Sequence, residues 1–138
     1  MTTARDIMHV GVTCISEDET LQHAAQQMRD LDVGSLPVCG DDDYISGIIT
    51  DRDIVTKCIA GGVDPAKVTA GELAHGMPVT IESQADVTEV LRTMEQHKIH
   101  RLPVIESKQP VGMISQADLA RHLPETSVGE FIEAVCAP

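Results

Sequence analysis

The hydrophobic and polar positions of this chain follow a pattern that occurs twice. Each copy predicts a short strand, an amphipathic helix, two strands and a second helix, which together form a β-α-β-β-α unit. The first copy is expected to span residues 1–66 and the second residues 67–138. Equivalent positions lie 66 residues apart through the second strand and 65 apart from the third strand onward, because one loop is a residue shorter. We interpret this as an internal duplication.

In the first copy the predicted strands cover residues 12–15, 33–39 and 45–50. Between the first two, four apolar residues recur at helical spacing and predict a buried helix face: Leu21, Ala24, Ala25 and Met28. A second helix is expected over residues 51–60, where two glycines stop it. Thr3 and Asp6 predict a capping box for a short initial helix, and Thr69 and Glu72 repeat it.

The second copy repeats these elements. Its strands are expected near residues 78–81, 99–105 and 111–115, and its first helix carries Val87, Val90, Leu91 and Met94 on one face. A last helix from Ser127 is expected to pack back on the body. One sheet face of each copy would stay bare in isolation, so two copies are expected to cover each other. The predicted fold is α+β, a pseudo-two-fold pair of repeats with facing three-stranded sheets and a cleft between them.

Both copies also contain the same spacing of chemical groups: a glycine, two apolar residues, a hydroxyl residue, two variable residues and an aspartate. In the first copy the ends of this motif are Gly47, Thr50 and Asp53, and in the second they are Gly112, Ser115 and Asp118. We interpret each motif as a buried strand that turns into a helix. Such a corner presents hydrogen-bonding groups to a polar ligand. The ordinary alternative is that the hydroxyl and the aspartate only cap the helix.

Composition narrows the possible partners. The chain has 138 residues and a formal net charge of −12, which argues against nucleic acid and anionic membrane surfaces. No apolar run approaches the roughly 20 residues that span a bilayer, and no signal peptide is recognisable at the N-terminus. We therefore expect a cytoplasmic protein. With one phenylalanine, one tyrosine and no tryptophan, its core must be largely aliphatic.

The repeated motifs resemble those of tandem cystathionine β-synthase (CBS) domains, the pair also called a Bateman module. The resemblance covers nearly the whole chain and is carried by the hydroxyl–aspartate motifs together with Gly34-Ser35-Leu36-Pro37-Val38 and His100-Arg101-Leu102-Pro103-Val104. It implies a non-enzymatic regulatory module that binds an adenosyl compound such as AMP, ATP or S-adenosylmethionine between the repeats. A stress or hypoxia response is the setting that it suggests.

The resemblance also implies roles for individual residues. The ribose would be held by Thr50 with Asp53 and by Ser115 with Asp118, and the Leu-Pro-Val segments would face the adenine. Three candidate phosphate contacts are Arg52, His100 and Arg101. Because two of these cations lie in the second copy, that copy is expected to be better equipped for phosphate. The two clefts cannot be equivalent.

Enzymatic readings have less support. The sequence contains no GxSxG elbow, phosphate-binding P-loop or HExxH zinc motif. A different class of function is a protein-interaction module without a small ligand, stabilised by a disulfide, by zinc or by both. A homodimer is expected in either case, through apolar helix faces: Ile54, Val55 and Ile59 in one copy, Leu119 and Leu123 in the other.

Two pairs of residues suggest further chemistry. His97, at the end of one predicted helix, and His122, one turn into another, are candidate zinc ligands, although surface histidines are the ordinary alternative. Cys14 and Cys39 belong to neighbouring parallel strands, whose spacing permits a disulfide. Cytosolic thiols are normally reduced, so this bond implies oxidation under stress or export by a route without a signal peptide.

Overall fold

The computed structural model describes residues 1–11, 13–74 and 78–137 and confirms the α+β fold. Its helices are α1 (Ala4–Ile7), α2 (Leu21–Leu31), α3 (Asp51–Asp53), α4 (Ala70–Leu73), α5 (Val87–His97), α6 (Gln116–His122) and α7 (Glu125–Val135). Its strands are β1 (His9–Val10), β2 (Ile15–Ser16), β3 (Ser35–Cys39), β4 (Ile45–Thr50), β5 (Ile81–Glu82), β6 (Arg101–Glu106) and β7 (Gln109–Ser115). Within the described residues, no helix has the length and apolar character needed to cross a membrane.

The observed elements follow the predicted pattern, with local differences at element ends and in three other details. The predicted strand 12–15 is β2, which begins at Ile15; Val12 lies outside the described residues. The predicted helix 51–60 consists of α3 followed by a π-helical segment, Ile54–Ile59. Within it, the Thr56 hydroxyl donates to the Arg52 carbonyl at 2.7 Å, a back-bond of the kind that bends helices. Of the predicted α2 face, Ala25 is exposed.

The two sheets differ in the number of strands. One contains β2, β3 and β4, with β2 parallel and β4 antiparallel to β3. The other has four strands in the order β1-β7-β6-β5, so the prediction of two three-stranded sheets is corrected. The additional strand is β1, where His9 pairs with Met113 and Val10 with Gly112. The equivalent residues of the second copy, His75 and Gly76, lie outside the described residues.

The chain forms two compact units, and these are not the two sequence repeats. The central unit is Thr13–Pro78, and the split unit combines Met1–Val12 with Val79–Pro138. The first helix of the first copy, α1, therefore belongs to the split unit, while α4, its equivalent in the second copy, belongs to the central unit. Each unit thus takes its short initial helix from the other repeat.

Backbone hydrogen bonds show how these exchanged helices are attached. The N–H of Ala4 donates to the carbonyl of Ala85 at 2.8 Å, and the N–H of Ala70 donates to the carbonyl of Glu19 at 2.7 Å. Ala4 and Ala70 occupy equivalent positions of the two copies, as do Glu19 and Ala85. The same bond is therefore made twice, each time between the two copies.

Equivalent residues also build the two cores. The core of the split unit consists of Ala4, Ile7, Ile81, Val90, Met94, Leu102, Val104, Ile114, Leu119, Phe131 and Val135. The core of the central unit consists of Ile15, Leu21, Ala24, Met28, Leu36, Val38, Ile49, Ile54, Cys58 and Ala70. The split unit also contains α7, which packs against α5 and α6 and brings in Phe131. The expectation that the last helix packs back on the body is confirmed.

Two acidic residues of the split unit, Asp6 and Asp86, each cap the start of a helix, α1 and α5 respectively. The Thr3 N–H donates to the Asp6 carboxylate at 2.8 Å, and this backbone hydrogen bond lowers the pKa of Asp6. Asp86 accepts from the backbone of Thr88 at 2.8 Å, which lowers its pKa likewise. Because both pKa values are depressed, these caps contribute above the ordinary carboxyl pKa and are lost as the pH falls below it.

Candidate functional site

The first hydroxyl–aspartate corner joins β4 to α3 in the central unit. The Thr50 hydroxyl accepts from the Asp53 N–H at 3.1 Å, and the Asp53 carboxylate accepts from the Thr50 N–H at 3.2 Å. Nζ of Lys57, one helical turn further on, lies 3.3 Å from Oδ1 of Asp53. The Asp53 side chain keeps 29% of its surface exposed.

The second corner joins β7 to α6 in the split unit. The Asp118 carboxylate accepts from the Ser115 N–H at 2.9 Å and from the Ser115 hydroxyl at 3.1 Å, both on Oδ2. Arg121 donates to Oδ1 of Asp118 at 2.7 Å. Only 6% of the Asp118 side chain is exposed. A hydroxyl residue and an aspartate therefore meet at both corners, but the second carboxylate is more deeply buried and accepts more hydrogen bonds.

Both corners are capping boxes, in which the hydroxyl and the carboxylate each bond the other's backbone N–H. Capping is therefore part of their role. It does not use all their hydrogen-bonding capacity, because a carboxylate offers about four lone-pair sites. Ligand binding by the same groups remains a prediction.

Close packing explains why each motif has a glycine at its first position. A Cβ on Gly112 would lie 2.4 Å from Sδ of Met8 and 3.0 Å from the His9 carbonyl oxygen. A Cβ on Gly47 would lie 3.0 Å from the Cβ of Ala74, which is the residue equivalent to Met8. In each unit, the segment after the exchanged helix thus passes directly over the motif glycine, and a side chain there would displace it.

The predicted phosphate-binding cations are distributed unevenly. Arg101 begins β6, where its Cα pairs with that of Ser115, and the exposed His100 directly precedes it. Both therefore accompany the second corner. Arg52 follows the first corner, and its side chain is exposed on α3. At the position equivalent to Arg101, the central unit has the buried Ser35, paired with Thr50.

The Leu-Pro-Val segments predicted to face the adenine are buried. Leu36 and Val38 are 2% and 0% exposed and belong to the core of the central unit. Leu102 and Val104 are equally buried in the split unit. Side chains alternate across a strand, so the intervening Pro37 and Pro103 lie on the opposite sheet face. The prolines are buried as well, so no side chain of these two segments is exposed.

The two candidate zinc ligands lie at the ends of α5 and α6, both in the split unit. Nδ1 of His97 lies 2.9 Å from the Thr93 carbonyl oxygen, and Nδ1 of His122 lies 2.9 Å from the Asp118 carbonyl oxygen. A ring held in this way through Nδ1–H directs Nε2 outward, which is the usual support of a metal-binding imidazole. Among the described residues, no group of three or more His, Cys, Asp or Glu side chains is placed to hold a metal ion. Two imidazoles would need ligands from elsewhere.

The duplicated corners match one known family along most of the chain. Residues 4–59 and 70–125 each match the CBS domain. This chain belongs to the CBS domain family. The resemblance inferred from the sequence is confirmed.

Relatives of this CBS pair include proteins of similar length and the same fold. Hypoxic response protein 1 of Mycobacterium tuberculosis (strain ATCC 25618 / H37Rv) is 52% identical over 138 residues, which are 100% of this chain and 96% of that protein. The crystal structure of Hypoxic Response Protein I with two coordinated zinc ions has a TM-score of 0.82 and 54% identity, covering 89% of this chain and 100% of that one. The crystal structure of CBSX2 in complex with AMP has a TM-score of 0.74 at 18% identity, over 88% of this chain and 95% of that one, which shows the fold alone.

A disulfide distinguishes the two CBS repeats. Cys14, which directly precedes β2, is bonded to Cys39, the last residue of β3, with their Cα atoms 6.0 Å apart. The equivalent residues of the second repeat are Thr80 and Ile105, so only the central unit has this bond. Of the other two cysteines, Cys58 is buried and Cys136 is exposed.

An open depression of about 370 Å³ lies beside this disulfide and not at either corner. Its lining includes Glu17, Asp41, Asp42 and Tyr44. Three carboxylates on one rim repel phosphate groups. This depression is therefore not a candidate for the nucleotide site.

Two functional neighbours were missed from the sequence: Lys57 beside Asp53 and Arg121 beside Asp118. Their spacings, four and three residues, bring opposite charges together on a helix. Sequence reasoning had placed both aspartates on helices, so this signal was present and would have predicted both ion pairs.

Proposed function

We propose that this chain is a stand-alone, non-enzymatic regulatory CBS pair that binds an adenosyl compound at one or both of its hydroxyl–aspartate corners. The observation that carries the proposal is the presence of the same hydroxyl and carboxylate, in the same capping geometry, at equivalent positions of both repeats. A carboxylate accepts hydrogen bonds from two adjacent ribose hydroxyls, and such charge-assisted bonds are about twice as strong as neutral ones.

A stress or hypoxia response is the setting we propose for this regulation. It is supported by the 52% identity, over the whole chain, to hypoxic response protein 1. A bound nucleotide would regulate the protein by shifting its population toward the conformation that the nucleotide prefers. The cytoplasmic location predicted from the sequence is part of the same proposal.

A thermal-shift series with AMP, ATP and S-adenosylmethionine tests ligand binding. A ligand at about 100 times its Kd stabilises a protein by about 2.7 kcal/mol, which for a chain of this size raises Tm by roughly 10 °C. The double variant Asp53→Asn/Asp118→Asn should reduce this shift to about half or less at the same ligand concentration, since asparagine can still cap a helix but has no charge. Asp6→Asn, in a capping box outside the corners, serves as the matched control and should keep the shift.

Absence of a shift with all three compounds would favour the second candidate function, a protein-interaction module stabilised by metal. That candidate is supported by the two coordinated zinc ions of Hypoxic Response Protein I and by the shared Nδ1-to-carbonyl arrangement of His97 and His122. Imidazole nitrogen suits zinc, which usually takes four ligands. We propose that these two rings supply part of a zinc site completed by water, a carboxylate or a second chain.

Zinc should bind to the wild-type protein in equilibrium dialysis and be lost in both His97→Ala and His122→Ala. His9→Ala provides the control. His9 is exposed in the same unit and pairs with β7 through its backbone, which the substitution keeps. Zinc binding that survives both substitutions, or that disappears equally in His9→Ala, would assign the metal to other residues.

We further propose a homodimer. Of the five apolar helix residues expected at its interface, Ile54 and Leu119 belong to the cores, so these two are corrected, and Leu123 is partly buried against one core. Val55 and Ile59 remain, with 58% and 53% of their surfaces exposed on adjacent turns of the π-helical segment. A second copy of the same surface would remove both pairs from water.

Light scattering after size exclusion at micromolar concentration should give twice the chain mass. The double variant Val55→Lys/Ile59→Lys should elute as a monomer, since each lysine places a charge in the apolar contact. Val10→Lys is the control: Val10 is 70% exposed in the other unit, and its variant should remain dimeric. A monomeric wild type would contradict the proposal.

A further inference from the structure

The two hydroxyl–aspartate corners differ in how many acceptor sites their carboxylates have left. Asp118 already accepts three hydrogen bonds, two on Oδ2 from Ser115 and one on Oδ1 from Arg121. A carboxylate has about four lone-pair sites. One site therefore remains, whereas two adjacent ribose hydroxyls need two. The side chain is also only 6% exposed, so that a ligand can hardly reach it.

The Asp53 carboxylate, in contrast, has acceptor sites left and is partly exposed. Its carboxylate accepts one hydrogen bond, from the Thr50 N–H, and forms an ion pair with Lys57 at 3.3 Å. The Thr50 hydroxyl accepts from the Asp53 N–H but, among the described residues, gives its own hydrogen to none, whereas the Ser115 hydroxyl donates to Asp118. The first corner thus has both free acceptor sites and a free donor.

The two ion pairs differ in the same direction, because one carboxylate is nearly buried and the other is not. Arg121 makes a 2.7 Å hydrogen bond to a nearly buried carboxylate, where screening by water is weak and an unpaired charge is costly. A neutral ribose diol that displaced Arg121 would leave the nearly buried Asp118 carboxylate without a counter-charge, which is costly. The Arg121 and Lys57 side chains are equally exposed, at 61% and 59%, but Lys57 pairs with a carboxylate that is 29% exposed, so water screens this pair and it opens at lower cost.

We propose that the adenosyl ligand binds at the Thr50–Asp53 corner alone and that Arg121 closes the Ser115–Asp118 corner by holding its carboxylate. The inference rests on the proposed function and adds its stoichiometry and the residue that sets it. It also reverses the expectation that the second copy is the better nucleotide site. That expectation came from His100 and Arg101, which accompany the closed corner.

Calorimetric titration with AMP, repeated with ATP and S-adenosylmethionine, tests this assignment. The wild-type protein should bind one ligand per chain. Asp53→Asn should weaken binding by roughly 10- to 100-fold, the loss expected when charge-assisted bonds become neutral ones. Asp118→Asn should leave both affinity and stoichiometry unchanged. Circular dichroism verifies that each variant is folded.

Arg121→Gln tests the closing role. It should raise the stoichiometry from one to two per chain, and the double variant Asp53→Asn/Arg121→Gln should bind one ligand at the opened corner. Lys57→Gln is the matched control, because it removes the equivalent cation from the corner that is already open, and it should stay at one.

The outcomes separate the inference from the function beneath it. Binding lost in Asp118→Asn and kept in Asp53→Asn, two ligands per wild-type chain, or one per chain in Arg121→Gln would each overturn the inference while leaving an adenosyl-binding protein. Absence of heat from all three compounds, in wild type and Arg121→Gln alike, would overturn both.

Discussion

Replacing Phe131 with alanine should destabilise the protein by about 3 to 5 kcal/mol, the range for a buried aromatic that leaves a cavity. Phe131 is the only phenylalanine of the chain and is 0% exposed, in the core where α7 meets the split unit. An aliphatic core has few large side chains to refill the space. The loss is measured as the free energy of unfolding in urea, followed by circular dichroism.

The neighbouring residue provides the comparison for this substitution. Ile132 lies on the same helix with 38% of its surface exposed, so Ile132→Ala should cost much less than Phe131→Ala. A loss below about 1 kcal/mol for Phe131→Ala, or equal losses for both variants, would mean that α7 is not an integral part of the core.

Reduction of the Cys14–Cys39 disulfide should lower the free energy of unfolding by about 3 to 4 kcal/mol, the chain-entropy value for a closed loop of 25 residues. The bond constrains the unfolded chain and fastens the start of β2 to the end of β3. Urea unfolding with and without reductant measures the difference. Cys14→Ala should be insensitive to reductant, and Cys136→Ala should respond as the wild type does.

Thiol counting reports the bond independently of stability. Under denaturing conditions without reductant, two thiols per chain should react, those of Cys58 and Cys136. Four reactive thiols in protein purified without reductant would show that the pair is not oxidised. Because cytosolic thiols are normally reduced, the oxidised fraction in cell extracts also bears on the location of the protein.

The fold could be predicted where local periodicity reports burial. Strand β4 was predicted with its observed ends, because Ile45–Thr50 lies between a polar turn and a helix start. The exchange of α1 and α4 between units could not be predicted, because both repeats carry the same helix signal whichever unit they join. Strand β1, only two residues long, depends on pairing with β7 more than 100 residues later, a contact that leaves no periodic pattern.

The site shows the same division. The pairing of Thr50 with Asp53 follows from a spacing of three residues, which a helix start turns into a contact. Burial of Leu36 could not be separated from ligand contact, because an apolar strand residue looks the same in either role. The closed state of Asp118 depends on the burial of its side chain as well as on the spacing to Arg121. That burial results from the packing of the whole unit and cannot be derived from the local sequence.

A crystal structure of the protein grown with AMP tests the central claim most directly. The account predicts one nucleotide per chain, with both ribose hydroxyls within hydrogen-bonding distance of the Asp53 carboxylate, about 2.5 to 3.0 Å, and with Arg121 still on Asp118. A ribose held by Asp118, or a nucleotide bound away from both corners, would contradict it.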